Sequence, residues 1–362
     1  MMERLARAVD QGMLRPLDRY FALWMGRFAG TQDPALLLAA ALVSWRSGQG
    51  DVCLDLPAHA GRPLFVTPED ETGLVAPKLD EWRQALGRSP VVGRPGEMAP
   101  LILDHADRLY LGRYWQLEQD LLHSLRQRLG LWAAGVDTAL LQTGLQRLFP
   151  NQGQDPDRQQ LAAALAVLRT FCVITGGPGT GKTRTVTAIL ALLLEQAKGK
   201  PPRIALAAPT GKAAARLSES IALAREQLPL SAELATTIPT QAKTLHRLLG
   251  FRPDRVEPRH GADHPLGLEV LVVDEVSMVD LPLMSRLLAA LPTKARLILL
   301  GDKDQLASVE AGMVLGDLCG RGRSGTGPDW TSLSEAMAAQ PRRPSGRASI
   351  AEHILVLDKS YR

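Results

Sequence analysis

Eight consecutive residues, Gly176, Gly177, Pro178, Gly179, Thr180, Gly181, Lys182 and Thr183, satisfy the pattern G-x-x-x-x-G-K-[ST]. Glycines let a backbone curl until its N–H groups converge on a phosphate, and a helix starting at the lysine adds positive potential at its N-terminus. Lys182 has the reach to meet β- and γ-phosphates, and the Thr183 hydroxyl suits a Mg²⁺ ion. The apolar run Phe171–Thr175 precedes the loop and a leucine-rich helical segment follows it. A chance match to the pattern occurs in roughly one chain in a hundred at this length, and the strand-before, helix-after context makes it rarer. ATP and Mg²⁺ are the expected ligands, with Lys182 as a catalytic residue as well as a binding one.

Asp274 and Glu275 end the apolar run Leu271-Val272-Val273. At the carboxyl edge of a parallel sheet, beside the phosphate loop, two acids divide the labour: Asp274 holds the metal, with Thr183, and Glu275 orients and polarises the water attacking the γ-phosphate. Gly301-Asp302-Lys303-Asp304-Gln305 follows another apolar run, Leu297–Leu300, expected near the strand before Asp274. From there Gln305 reaches a γ-phosphate or the attacking water. Thr210 and Lys212, after the run Ile204–Ala208, and His246, in Thr244–Arg247, are of types that grip a nucleic-acid backbone. They serve equally as ordinary loop and capping residues. His260 and His264 lie four apart, but Gly261 and Pro265 argue for a loop and no third ligand is evident, so a metal pair is rejected.

These groups need a scaffold. From about residue 159 short apolar runs alternate with glycine or polar turns and helical stretches, beginning near Lys182 and Lys212. That pattern predicts a parallel α/β sheet with helices on both faces and ligands at the carboxyl ends of its strands. A further short strand is expected within Ile350–Leu357, after a Gly/Ser/Pro/Arg-rich insertion between Gly320 and Gly346. The first part reads differently. Leu5, Ala8, Val9 and Met13 share a helix face, Pro34 opens a helix over Ala35–Trp45, and one short strand is expected at Leu101–Leu103. Leu117, Leu121, Leu122, Leu125 and Leu129 repeat at helical spacing. The expected domains are 1–115, smaller and mainly helical, and 116–362, the α/β domain.

Composition closes off other classes. With 362 residues, 45% hydrophobic and 22% charged, the chain is long enough for two folded domains and far from disorder. A net charge of +4 is compatible with a phosphate-backbone partner, and the 4% aromatic content leaves few rings for base stacking. Cys53, Cys172 and Cys319 form no C-x-x-C pair, which fits a reducing compartment. The apolar stretch Ala35–Val43 is far short of a membrane span, and Glu3 and Asp10 interrupt the N-terminus where a signal peptide is uninterrupted, so no membrane association and a cytoplasmic location are expected.

In order, G-G-P-G-T-G-K-T, A-P-T-G-K-A-A-A-R-L, T-L-H-R-L-L-G, V-V-D-E-V-S-M-V-D and G-D-K-D-Q-L-A-S-V-E-A-G resemble the motifs of superfamily 1 helicases that translocate 5′ to 3′, and more narrowly those of the RecD family, the alpha subunits of exodeoxyribonuclease V. Gly50–Leu56 and Arg108–Trp115 share that family's character, so the resemblance covers most of the chain outside 320–346. It implies a RecA-like P-loop NTPase domain, DNA repair and recombination as the setting, and single-stranded DNA at duplex ends as substrate. RecB and RecC are the implied partners, the N-terminal domain docking onto one of them. Residue by residue it implies Gln159 near the adenine, Gln305 coupling γ-phosphate state to movement, Thr210, Lys212 and His246 on DNA, and Arg362 as a γ-phosphate contact. The family places ATP between two motor domains, and only the first is expected within these 362 residues. The chain alone is therefore expected to hydrolyse ATP feebly and not to unwind DNA. A free-standing related helicase, or an ATP-binding assembly module without motor action, are the alternatives.

Overall fold

The computed structural model describes residues 1–66, 74–150, 157–197, 199–255, 257–305, 311–320 and 349–359. Arg362, and the expected insertion beyond Gly320, lie outside them. The chain divides into two compact units, one built on Met1–Gln119 and one on Asp120–Val279 with most of the remaining residues. The division falls four residues after the sequence-based boundary, inside a continuous helix, Gly112–Arg128.

The first unit opens with helices α1 (Met2–Asp10), α2 (Pro16–Ala29) and α3 (Pro34–Gly48). Pro34 stands at the first helical position of α3, and the Asp33 carboxylate accepts from the Ala35 N–H at 2.8 Å, so the start is fixed locally. Every residue from Leu36 to Ser44 is buried. A helix covered on all sides carries no amphipathic stripe, which is why this one appears in the sequence as an unbroken apolar run. Strand β1 (Cys53–Asp55), helix α4 (Leu56–His59), the two-residue strands β2 (Pro63–Leu64) and β3 (Leu74–Val75), and helix α5 (Leu79–Gly87) come next. Then come β4 (Val92–Gly93), β5 (Leu101–Leu103) and β6 (Arg108–Leu111), making a sheet of order β1-β6-β5-β4. Of these strands, β5 is the expected one; the others are too short for alternation to show. Trp82 of α5 is fully buried and donates its indole N–H to the Ala35 carbonyl at 3.0 Å.

Helix α6 (Gly112–Arg128) leads into α7 (Thr138–Leu148) and α8 (Arg158–Leu168). The second unit then alternates β7 (Phe171–Gly176), α9 (Lys182–Glu195), β8 (Ile204–Ala208), α10 (Gly211–Gln227), α11 (Ala232–Thr237), β9 (Ala242–Thr244) and α12 (Leu245–Leu249). After these come β10 (Val270–Val273), α13 (Leu281–Ala290), β11 (Arg296–Gly301), α14 (Val314–Cys319) and β12 (Ile354–Leu357). The six strands are parallel, in the order β12-β7-β11-β10-β8-β9. Cys172, Ile174, Val270, Val272, Ile298 and Leu300 share a core with helices α7 to α10. The alternate residues Phe171, Val173, Leu271, Val273, Leu297 and Leu299 are buried too, so the central strands are covered on both faces. The short strand expected within Ile350–Leu357 is β12, preceded by a 3₁₀ turn, Ile350–His353. Ser349 caps that turn, and His353 is buried with Nδ1 2.8 Å from the Phe171 carbonyl, which fastens the entry of β12 to β7.

Candidate functional site

The loop Gly177–Gly181 joins β7 to α9 at the carboxyl edge of the sheet. Gly179 and Gly181 both have φ of 80°, a region that glycine occupies without strain. At Gly181 a side chain is excluded a second time, because a Cβ would stand 2.3 Å from Nε2 of Gln159. A Cβ on Gly176 would stand 2.7 Å from the Leu357 carbonyl, so β12 presses directly on the base of the loop. Within the loop the Thr180 hydroxyl donates to the Gly177 carbonyl at 2.9 Å. Lys182 Nζ donates to the carbonyls of Gly176 and Gly177. The ammonium is thus held over the loop by neutral carbonyls, an arrangement in which an arriving phosphate oxygen is the stronger acceptor. Pro178 is exposed and Thr183 part-exposed in the first turn of α9.

Gln159, from the first turn of α8, is 2% exposed and donates Nε2 to the Thr180 carbonyl at 3.0 Å. It lies against the backbone of the loop, and its Oε1 is buried with no hydrogen-bond partner among the described residues. Arg158, one residue earlier, donates to the Val356 carbonyl at 3.1 Å and pairs with Asp358 at 3.2 Å, tying α8 to the end of β12.

Asp274 and Glu275 leave the same sheet edge from β10, but not from the strand next to the loop: β11 lies between β10 and β7. The Asp274 N–H donates to Ala207 at 2.9 Å, prolonging the ladder by one residue. Glu275 has φ of 53°, a left-handed conformation that a residue with a Cβ adopts at a cost of roughly 1–3 kcal/mol. Its N–H turns back onto Asp274 Oδ1 at 2.8 Å. Burial pushes the Asp274 carboxyl up to about 6; the Glu275 charge pushes the same way, opposed by the Glu275 N–H and by Lys182. A carboxylate kept this short of donors, beside a second acid and near an ammonium, fits a divalent cation, which would restore its charged form. Thr183 and Asp274 would hold that ion.

The turn Asp302–Gln305 continues β11. The Asp304 N–H donates to Asp302 Oδ1 at 3.1 Å, and the Lys303 N–H donates to Thr175 Oγ1 at 3.1 Å, so the turn is tied to the phosphate-loop strand. Gln305 is exposed at its tip. Thr175 and Ser277 are the residues here that pattern reading passed over. Ser277, in the 3₁₀ turn Val276–Met278, is buried without a partner for its hydroxyl among the described residues, and only its place just after the acid pair hinted at it.

Thr210 and Thr244 are N-caps: the first accepts from the Ala213 N–H at 3.2 Å, the second from the Arg247 N–H at 3.2 Å. Lys212 and His246 are exposed in the first turns of the helices that leave β8 and β9. The His246 ring packs against Phe251 at 4.9 Å. His260 Nδ1 is 3.1 Å from the His264 carbonyl. Arg362 lies outside the described residues.

Comparison with known proteins respects the same division. Residues 10–110 match the model for the N-terminal domain of RecBCD enzyme subunit RecD, and residues 159–311 match that of an AAA domain. The RecBCD enzyme subunit RecD of Mycolicibacterium smegmatis is 45% identical over 84% of this chain and 52% of its own length. That of Haemophilus influenzae is 41% identical over 88% and 53%. The ATP-dependent RecD2 DNA helicase of Deinococcus radiodurans is 33% identical over 81% of this chain and 38% of its own. A solved structure of Pif1 helicases at forked DNA aligns over 57% of this chain with 19% identity and a TM-score of 0.31, too weak a likeness to build on. The chain spans about half the length of the RecD proteins it matches, 52% and 53% of these two. With both units matched in order and identity above 40% to these two across most of its residues, the chain belongs to the RecD family.

Proposed function

We propose that the chain is the ATP-binding motor portion of a 5′-to-3′ DNA helicase subunit, working on single-stranded DNA at duplex ends in a helicase–nuclease with RecB and RecC. The observation that carries the reading is the convergence, on one sheet edge, of the phosphate loop, the desolvated Asp274 with Glu275, and the Gln305 turn bonded to the loop's own strand through Thr175. Lys182 and the loop N–H groups bind the phosphates. Bound Mg²⁺ would screen their charge, with Thr183 and Asp274 as its protein ligands. Glu275 orients the attacking water and Gln305 reads the γ-phosphate. Thr210, Lys212 and His246 track the DNA backbone.

The test is nucleotide binding by the 362-residue chain followed with a fluorescent ATP analogue. Lys182→Ala should weaken it about a hundredfold, the worth of charge-assisted hydrogen bonds near 2–3 kcal/mol. An affinity indifferent to Lys182 would sink the reading.

The partner assignment is supported by an exposed face on α2, where Leu17, Tyr20, Trp24 and Phe28 are each about 60% exposed at helical spacing. Contiguous aromatic surface of this kind favours a protein partner. Co-purification with two larger subunits is the expected result. The second reading, a free-standing helicase, is favoured by the likeness to the Deinococcus protein and would be preferred if an active monomer is obtained.

A further inference from the structure

The Asp302–Gln305 turn, the 3₁₀ turn Val276–Met278 and α14 line a part-open cavity of about 230 Å³. Ser277 and Gln305 both line it, with Asp302, Leu315 and Cys319 among the other walls. Ser277 is 8% exposed and its hydroxyl oxygen, out of contact with water, has no hydrogen-bond partner among the described residues. A buried hydroxyl left unpaired costs roughly 1–3 kcal/mol and calls for an explanation, of which a partner that arrives with a ligand is one.

The backbone around Ser277 is tightly placed. A Cβ on Gly301 would stand 3.3 Å from the Ser277 nitrogen and 2.5 Å from Leu315 Cδ2. The strand that ends in the Gln305 turn therefore lies directly against the segment carrying Asp274 and Glu275, with no room for a side chain between them. Hydrogen-bond chemistry supplies the rest. Phosphate oxygens accept, so a glutamine reading a γ-phosphate must present Nε2 to it, which leaves Oε1 in need of a donor. Ser277, on the wall of the same cavity, carries such a donor.

We infer that Ser277 is a positioning residue for Gln305: when a nucleotide with a γ-phosphate is bound, the Ser277 hydroxyl donates to Gln305 Oε1 and holds Nε2 toward the phosphate. The pair closes the cavity and ties the γ-phosphate-reading turn to the segment carrying Asp274 and Glu275. This rests on the proposed binding of nucleotide by the phosphate loop.

The experiment measures the affinity of the 362-residue chain for a non-hydrolysable ATP analogue and for ADP, by calorimetry, in wild type, Ser277→Ala, Ser277→Thr, Gln305→Ala and the Ser277→Ala/Gln305→Ala double variant. Removing an unpaired hydroxyl does not endanger the fold. Ser277→Ala should leave ADP affinity within about twofold and cut the preference for the analogue about fivefold; Gln305→Ala should do the same, the double variant no more than either, and Ser277→Thr should keep the preference. Additive losses, an unchanged preference in Ser277→Ala, or equal weakening of both nucleotides overturn the pairing. Failure here, with Lys182→Ala still weakening binding, removes this inference alone. A wild type that binds neither nucleotide removes the phosphate-loop reading and this inference together.

Discussion

Asp18, on α2, is fully buried and receives four hydrogen bonds: from the Arg15 N–H, Nε and Nη2, and from the Ser44 hydroxyl at 2.7 Å. Gly48 contributes by lacking a side chain, since a Cβ there would stand 2.0 Å from the same guanidinium. Asp274, at the end of β10, receives one N–H from its neighbour and shares its surroundings with a second acid. Both acids are largely withdrawn from water, so burial alone does not account for the contrast. The first carboxylate is satisfied by its own fold and serves stability. The second is left short of partners among the described residues, and the cation proposed for it would restore its charged form.

The largest expected effect tests the satisfied member. Asp18→Ala leaves Arg15 and Ser44 without their acceptor and should cost about 3 kcal/mol in urea unfolding, the lower end for breaking a buried pair because Arg15 keeps access to water. A loss below about 1 kcal/mol would mean that the network is decoration. The next effect belongs to Asp274. With its carboxyl raised to about 6, a proton competes with the metal below that pH. Mg²⁺-dependent nucleotide affinity should therefore fall about tenfold per unit as pH drops below about 6, and Asp274→Asn should remove the dependence. An identical profile in the two proteins would break the contrast. The smallest effect is on the fold itself. A folded value raised above the unfolded 3.8 means that wild type loses stability as pH climbs from about 4 to 6, and stays lower above it. The whole shift corresponds to about 3 kcal/mol, reduced to about 1 by solvent screening of a part-exposed group. Asp274→Asn should thus be about 1 kcal/mol more stable than wild type at pH 7.5 and equal to it at pH 3.5, read from thermal midpoints.

How much could be read in advance depends on the range of the interaction. The phosphate loop is a contiguous pattern whose φ demands fall on glycines, so Gly176–Thr183 was legible residue by residue. Asp274 and Glu275 were legible as acids at the end of a buried run. Their distance from the loop was not: the interposition of β11 is a matter of sheet order, which nothing local encodes. The left-handed backbone of Glu275 and the unpaired hydroxyl of Ser277 were equally invisible, since each is defined by what other segments fail to supply. In the first unit, β2, β3 and β4 have two residues apiece, shorter than one period of alternation. Ile350–His353 differs from the wholly apolar strand after it by Glu352 and His353, and Glu352 joins Ser349 in the capping box that makes it a turn.

The register that sets Leu357 beside Gly176 also dictates when the site can exist. A ribosome that has just released β7 must still make the chain as far as β12 before the loop has its second wall. At about 5–20 residues per second that interval is roughly 10–40 s. Throughout it, the apolar flank of β7 lacks the strand that will cover it. The nucleotide capture proposed here would accordingly be a late event in the life of the nascent chain, later than the packing of helices α7 to α9, whose contacts are nearer in sequence.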